Sequence, residues 1–521
     1  MDKRLLKVLK HDYAVEMDKK RNLKAIRTLY DMNEKEEYHI DEQTWNDLDL
    51  DKVYSKLDRN YSSLGEASLY SMLRNPLNDE KKLNKRREEI EYFKENEEVR
   101  FKIMWIFFEL GRDKKNSLLD MINEKLIESN KFKYYFYTIT GKILPLILIL
   151  TAIFVSVSAM LGLMAVTFVN IYINSKERDR IKANGLMYLR RVIKASKQIV
   201  KINDKNLESF NIKIRENLKD LKSIDRNTIM ISFINMWGGV FEFISVLFLL
   251  EETAYYKIAD SIEKNKDSIL SLYKTLGEME AIISIGSYEE EKKDKITRPK
   301  FIRETTLEIK NGIHPIIENP VANSINMSKR GIVLTGTNMS GKSTFLRMLG
   351  VNMLFAQAFN FVLAEKYEGP IFNIVTSISP NDDLSVGKSF YMAEAESILR
   401  IIRALDKDLP VFCAIDEIFR GTNPIERISA SAEILTYINN KNSISIVATH
   451  DRELVDILKE CYEFYYFSEN VDSKNGLSFD YKLKRGVSKT RNAIKLLEYI
   501  GYPKDIINKS YRRSEKLEGF I

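Results

Sequence analysis

Apolar positions recur at helical spacing through the first part of the chain. Leu5, Leu6, Leu9 and Tyr13 fall on one helix face amid charges, and Leu64, Leu69, Met72 and Leu73 on another. Asn75-Pro76 predicts where the second helix stops, because the proline ring disfavours helical backbone at the residue before it. Arg86, Arg87, Glu88, Glu89 and Glu91 predict a solvated helix face, with Ile90 and Phe93 turned inward. At 143–173 the pattern changes to about 31 residues without a charge, where about 20 suffice to span a bilayer. Charges return at helical spacing over 174–225. A second apolar stretch, 229–250, is interrupted by Asn235, Gly238, Gly239 and Glu242. A carboxylate at mid-membrane is costly, so this stretch predicts a buried core helix. From Pro299 onward short β-rich runs alternate with helical patterns. The runs are Gly331–Thr335, 411–415, Ser443–Ala448 and 464–467, and they predict an α/β domain with a largely parallel sheet.

Charge changes the reading of the first apolar stretch. Lys131, Lys133 and Lys142 precede it, and Lys176, Arg178, Arg180 and Lys182 follow it. Basic residues on both sides fit two ends on one cytoplasmic face, hence a transmembrane hairpin turning near 156–162. A single span would put the flanks on opposite sides, and a deeply buried helix pair is the alternative without a membrane. Arg190, Arg191, Lys194 and Lys197 form a basic face that suits lipid head groups or phosphates, or simply water. The net charge of +7 arises from 81 basic and 74 acidic residues, too mild an excess to require or exclude a polyanionic partner. Cys413 and Cys461 lie far apart, which excludes a disulfide framework or a cysteine metal cluster and suits a reducing cytosol. Charges scattered through 1–10 leave no apolar core for a secretory leader.

Four constellations carry chemistry. Gly336-Thr337-Asn338-Met339-Ser340-Gly341-Lys342-Ser343, followed by Thr344, has full P-loop spacing. It follows the apolar run Ile332-Val333-Leu334 and precedes a helical stretch, 344–354, so that backbone N–H groups and a helix N-terminus can face phosphates. Lys342 would neutralise the β- and γ-phosphates of ATP, and Ser343 would ligate Mg²⁺. The run 411–415 ends in Asp416-Glu417, where Asp416 would hold the Mg²⁺ and Glu417 would activate the attacking water. Thr449-His450 ends a third run, and His450 would contact the γ-phosphate. Finally, Asp382 to Phe390, with Ser385, Gly387 and Ser389, precedes a helix over 392–402 and makes a second anion-binding helix start. One subunit cannot easily bring two such sites to one γ-phosphate, so this one is expected to act across a homodimer.

That order of motifs resembles the ABC-type ATPases, and its details resemble the MutS family. The resemblance rests on the P-loop with its Asn338-Met339, on Asp416-Glu417-Ile418-Phe419-Arg420-Gly421-Thr422, and on His314-Pro315 upstream. It rests further on Tyr481-Lys482-Leu483, Gly486-Val487-Ser488 and Gly501-Tyr502-Pro503, a tail that in this family supports dimerisation. Weaker likeness reaches Gly65, Leu69, Leu73, Pro76-Leu77 and 83–89 at the start of a helical core, and 280–284 at its end. No Phe-x-Glu mismatch-reading loop is found, and the apolar stretch stands where a DNA-clamping arm would lie.

The fold expected is therefore α + α/β. A helical core occupies 1–130 and 226–300, an inserted arm 131–225 carries the apolar hairpin 143–173, and an ABC-type P-loop ATPase domain with dimerisation helices fills 301–521. The resemblance implies an ATP hydrolase with composite dimer sites, associated with double-stranded DNA but not a mismatch sensor. The alternative is an ATPase tethered by 143–173 to the cell membrane, its catalytic domain cytoplasmic, acting on lipid or membrane-protein partners without DNA.

Overall fold

Helices form where the apolar stripes place them. Ser63–Arg74 buries Leu64, Leu69 and Leu73 and ends before Asn75-Pro76. Glu80–Glu95 buries Ile90 and Phe93. Its charged face is less solvated than expected: Arg87 is buried, and Arg86 donates to the Ala358 carbonyl at 2.7 Å. The computed structural model describes residues 3–113, 116–123, 130–182, 185–225, 240–328, 330–337, 340–378, 390–419, 423–451, 453–472, 476–487 and 493–518. The chain forms two compact units that interleave in sequence. One comprises Met1–Lys35, Leu57–Ser71 and Glu88–Glu291; the other comprises Glu36–Lys56, Met72–Arg87 and Lys292–Ile521.

The first unit is helical throughout its described residues. Its long helix Lys266–Glu291 is buried over most of its length. Gly277 allows the helix Ser63–Arg74 to come close, because a Cβ there would lie 2.4 Å from the Leu64 carbonyl oxygen. The buried Glu280 carboxylate then accepts the Tyr61 and Ser62 N–H groups at 2.6 and 3.1 Å and the Ser62 hydroxyl, satisfying donors that the helix start leaves free. In the same unit two helices form an antiparallel hairpin, Lys131–Phe154 and Ala159–Lys182, with the chain reversing over 155–158. The turn thus begins slightly ahead of the expected 156–162. The first arm carries a widened π turn at Ile139–Ile143, immediately before Pro145, which accommodates a residue with no N–H to donate. Gly162 lets the arms approach, since a Cβ there would touch Leu148 at 3.1 Å.

The second apolar stretch departs from expectation. Residues 229–239 lie outside the described residues, but Val240–Leu247 is a short helix packed along the second hairpin arm. Phe243 and Ile244 are exposed on it, so this part is not the buried core helix its composition predicts. Leu249, with φ +45°, breaks the helix, and Leu250–Lys264 starts again from it.

The second unit carries the expected sheet. Its strands are β1 (Gly331–Thr335), β2 (Asn373–Ser377), β3 (Val411–Asp416), β4 (Ser443–Ala448), β5 (Tyr462–Tyr466) and β6 (Lys484–Arg485), in the order β6-β5-β1-β4-β3-β2. All neighbours are parallel except the β6 edge. Strands β1 and β3 are buried at every position, as parallel strands covered on both faces should be. Alternate residues Val411, Cys413 and Ile415 join Val333, Val375 and Val447 in a core completed by helices Phe390–Ala404 and Pro424–Asn439. A smaller mixed sheet of Lys300–Phe301, Lys366–Gly369, Leu307–Gly312 and Asn323–Met327 lies beside it in sequence. The segment Glu36–Lys56 is tied to β2: Asp47 accepts the Thr376 hydroxyl at 2.8 Å and the Ile378 N–H at 2.9 Å.

Candidate functional site

The site is assembled where three parallel strands end together. Leu334 of β1 and Asp416 of β3 both pair with Ala448 of β4. Beyond those ends the chain is tied again: the Glu417 N–H donates to the Ala448 carbonyl at 2.8 Å, and the Thr449 N–H to the Leu334 carbonyl at 3.0 Å. The carboxyl edge of a parallel sheet is where open α/β folds bind ligands.

From β1 the chain enters the P-loop through Gly336, at φ +143°, where a Cβ would come within 2.9 Å of the Phe467 carbonyl oxygen. Gly341, at φ +106°, delivers it into the helix Lys342–Phe359. Both conformations disfavour a side chain. Thr337, Gly341, Lys342, Ser343 and Thr344 line a cavity of about 920 Å³. Asn338 and Met339 lie outside the described residues. Ser340 is buried, and its hydroxyl has no partner among the described residues.

The charged groups converge. The Lys342 ammonium donates to the carbonyls of Gly336 and Thr337 at 2.6 and 3.0 Å and lies 3.4 Å from His450 Nε2. The Ser343 hydroxyl donates to Asp416 Oδ2. Glu417 sits at φ +58°, a strained backbone for a side chain of this size, and this turns its carboxylate to within 3.1 Å of His450 Nε2. Behind His450, Asp451 is clamped by Arg427 at 3.0 Å. Lys342, Ser343, Asp416, Glu417 and His450 therefore form one connected cluster at the sheet edge. Ser385, Gly387 and Ser389 lie outside the described residues.

Residues 332–518 match MutS domain V. The chain therefore carries a MutS domain V. It is 32% identical to the DNA mismatch repair protein MutS of Thermotoga maritima over 281 residues, which is 51% of this chain and 34% of that protein. It is 29% identical to the MutS of Fusobacterium nucleatum over 367 residues, 66% of this chain and 39% of that protein. The MutS of Listeria monocytogenes is 30% identical over 281 residues, 52% of this chain and 32% of that protein. The chain thus spans about a third of the length of the curated relatives it matches.

In this domain V the loop fits a nucleotide's phosphates and its metal. The loop's own carbonyls hold Lys342 at the cavity, and two oxygen ligands, Ser343 and Asp416, already touch. Hard oxygen ligands of that kind suit Mg²⁺. Among the described residues no cluster of three His, Cys, Asp or Glu forms a competing metal site. The cavity also includes residues that sequence reasoning gave no binding role: Ile317, Pro320, Val321 and Tyr481 form its apolar side. Tyr481 was expected in a dimerisation tail, yet it lines this cavity. His314 lines it too, buried, with Nδ1 accepting from the Ile316 N–H at 3.3 Å and Nε2 unpartnered among the described residues. Burial, reinforced by the Arg347 charge, lowers its pKa to about 4, so the ring is neutral at physiological pH. His314-Pro315 was the one advance sign of this wall; no spacing rule pointed to the rest.

Proposed function

We propose that the protein binds and hydrolyses ATP with Mg²⁺ at composite sites of a homodimer, and converts turnover into conformational change. The observation that carries this reading is the convergence of Lys342, Ser343, Asp416 and Glu417 on one cavity at the carboxyl edge of the sheet, with His450 against Lys342 and Glu417. Lys342 exchanges its loop carbonyls for the β- and γ-phosphates. Ser343 and Asp416 hold the metal, which when bound offsets negative charge on the phosphoryl oxygens. Glu417 accepts a proton from the attacking water, and His450, paired with Glu417 and next to Lys342, positions that carboxylate and reads the γ-phosphate. Ser385, Gly387 and Ser389 of a second subunit complete the site.

The relatives are named for DNA mismatch repair, and this supports a coupling of turnover to double-stranded DNA. A second reading has its own observation: the first hairpin arm is long and apolar enough to cross a membrane, and only 17% of its most apolar window is buried. In that reading the ATPase is tethered to the cell membrane, its domain V in the cytoplasm, and acts on lipid or membrane-protein partners. The deciding experiment is the ATPase rate of detergent-purified protein titrated with duplex DNA at low and moderate salt. Stimulation that fades with salt supports DNA coupling. A flat response with intact basal turnover overturns it and leaves the membrane-tethered reading, to be checked by stimulation with vesicles.

A further inference from the structure

We propose that Glu252 is a proton-binding site at the base of the hairpin, and that emptying it frees the first turn of the helix Leu250–Lys264 from the hairpin's second arm.

The site is placed by a break in the chain. Leu249, at φ +45°, separates two helices, so that Glu252 falls in the first turn of Leu250–Lys264. That turn meets the second hairpin arm, where Asn174 Nδ2 donates to Glu252 Oε1 at 2.7 Å. One turn earlier on the same helix face, Asn170 Nδ2 donates to the Leu247 and Thr140 carbonyls at 2.7 and 3.1 Å. The first arm comes as close: a Cβ on Gly141 would lie 2.6 Å from the Phe248 carbonyl oxygen. Glu252 and Asn170 are both fully buried, and Oε2 of the one and Oδ1 of the other have no partner among the described residues. Both atoms are acceptors, so the site lacks a donor. A proton on Glu252 Oε2 supplies one, because a protonated carboxyl donates as well as accepts.

The neighbouring carboxylate shows what Glu252 is missing. Glu177, on the second arm, is held by Lys133 at 3.1 Å, Tyr137 at 3.0 Å and Tyr256 at 2.8 Å. Those donors are taken by Glu177. Among the described residues, the Glu252 carboxyl is met by Asn174 and by its own backbone N–H. The charges near it, Glu251 on its own helix and Glu177 on the second arm, oppose its ionisation. Lys142 on the first arm and Lys257 further along its own helix are exposed. Val240–Leu247 reaches the site through the Leu247 carbonyl, and the long helix Lys266–Glu291 follows from the opposite end of Leu250–Lys264. A helix N-terminus favours negative charge and lowers a carboxyl pKa by at most about 1.5 pH units. Burial raises it by up to about 3–5 pH units. Burial wins, and the pKa of Glu252 is raised from 4.5 to about 7.

When the proton leaves for water, the carboxylate left behind is buried beside two others with no cation bound to it. Release of the first turn puts that charge in water, and the Leu249 break already separates this turn from Val240–Leu247. The closed form binds the proton more tightly than the open one. Opening therefore becomes easier as pH rises from 4.5 to about 7, and levels off above.

The test is amide hydrogen exchange of the full chain in detergent, read by mass spectrometry, with infrared spectra of the same protein. After allowance for intrinsic exchange, protection over 250–254 should fall about tenfold per pH unit between 4.5 and about 7, then hold level. Glu252→Gln, which cannot ionise, should keep its protection throughout. Asn174→Ala removes a donor to the charged form, so its fall should continue about one pH unit higher. Amides of Lys266–Glu291, the helix of Glu280, should behave alike in the unaltered chain and in Glu252→Gln. In infrared spectra taken about one pH unit below 7, Glu252→Gln should remove one carboxylic-acid band and leave that of Glu280. Absence of such a difference, with the variant's circular dichroism unchanged, means that Glu252 is ionised and overturns the proton site. A band that is present while protection in the unaltered chain stays level with pH, or falls equally in Glu252→Gln, overturns the release of the helix turn.

Discussion

The P-loop cavity and the hairpin solve opposite problems with the same elements. At the cavity, strand ends and a helix start turn polar groups inward, and these groups face one another: Lys342 faces His450, His450 faces Glu417, and Ser343 faces Asp416. At the hairpin, two helices turn apolar groups outward and fold their few polar groups back onto their own backbone. The first arrangement is costly unless a charged ligand arrives, because it holds charges together in partial burial. The second is costly unless water is removed. In the readings proposed above each region is half of a complex, completed by a phosphate group and a metal in the one and by hydrocarbon in the other.

The sharpest way to break the comparison is at Glu417. Glu417→Gln keeps the shape and the hydrogen bond to His450 but removes the proton acceptor. Single-turnover hydrolysis should fall by about 10² to 10⁴, the usual worth of a general base. ATP affinity, measured with a fluorescent analogue, should change by less than about threefold, since a polar contact of the same size remains. Normal hydrolysis in this variant would remove Glu417 from the chemistry and make its strained backbone at φ +58° unexplained. Helical content should not respond, because the residue belongs to the cavity alone.

A smaller effect separates the two regions by pH. His314 in the cavity has its pKa lowered from 6.5 to about 4, with burial the largest cause. The unfolded chain therefore takes up a proton first as pH falls. Stability is whole above pH 6.5 and is lost progressively between 6.5 and 4, by about 2 kcal/mol at pH 5. Glu280 in the helical unit behaves in reverse. Burial raises its pKa to about 7, so its contribution is whole below pH 4.5 and is lost as pH rises through 7. Urea unfolding followed by probes in each unit should show His314→Gln losing less stability than the unaltered chain between pH 7.5 and 5. Identical losses in the two proteins would mean that His314 is solvated and free to protonate.

Much of this was legible in the sequence because its causes are local. Gly331–Thr335 and Ser443–Ala448 form with the expected ends, since continuous apolar runs bounded by glycine or by polar pairs leave few alternatives. The P-loop helix runs further than expected, Lys342–Phe359 against 344–354, because its buried face continues through Phe355 and Phe359. What stayed hidden depends on distant partners. Asp47 reads as a surface acid until Thr376 and the Ile378 N–H close on it, and only then does Glu36–Lys56 belong with the sheet. Likewise 229–250 reads as a core helix by composition, while Val240–Leu247 lies along the hairpin with Phe243 exposed. In the cavity, Ile317 and Val321 come from one loop and Tyr481 from far along the chain, and no spacing marks the three as one wall.

That wall gives the smallest and most selective prediction. Tyr481 sits at φ +52°, its carbonyl held by the Asn323 side chain at 2.9 Å and its ring 5.6 Å from Phe479. It therefore presents an aromatic surface, with no charge to meet a phosphate, to the cavity that Ile317 and Pro320 also line. Stacking of a base on an aromatic ring is worth about 1–3 kcal/mol by alanine substitution. Tyr481→Ala should weaken ATP binding by roughly tenfold, near the middle of that range. Inorganic pyrophosphate, which has no base, should bind both proteins alike, and hydrolysis at saturating ATP should be unaltered because Glu417 and His450 are untouched. An equal loss for ATP and pyrophosphate would show that Tyr481 supports the P-loop itself: a Cβ on Gly341 would lie only 3.2 Å from its ring, and the two readings differ in just this respect.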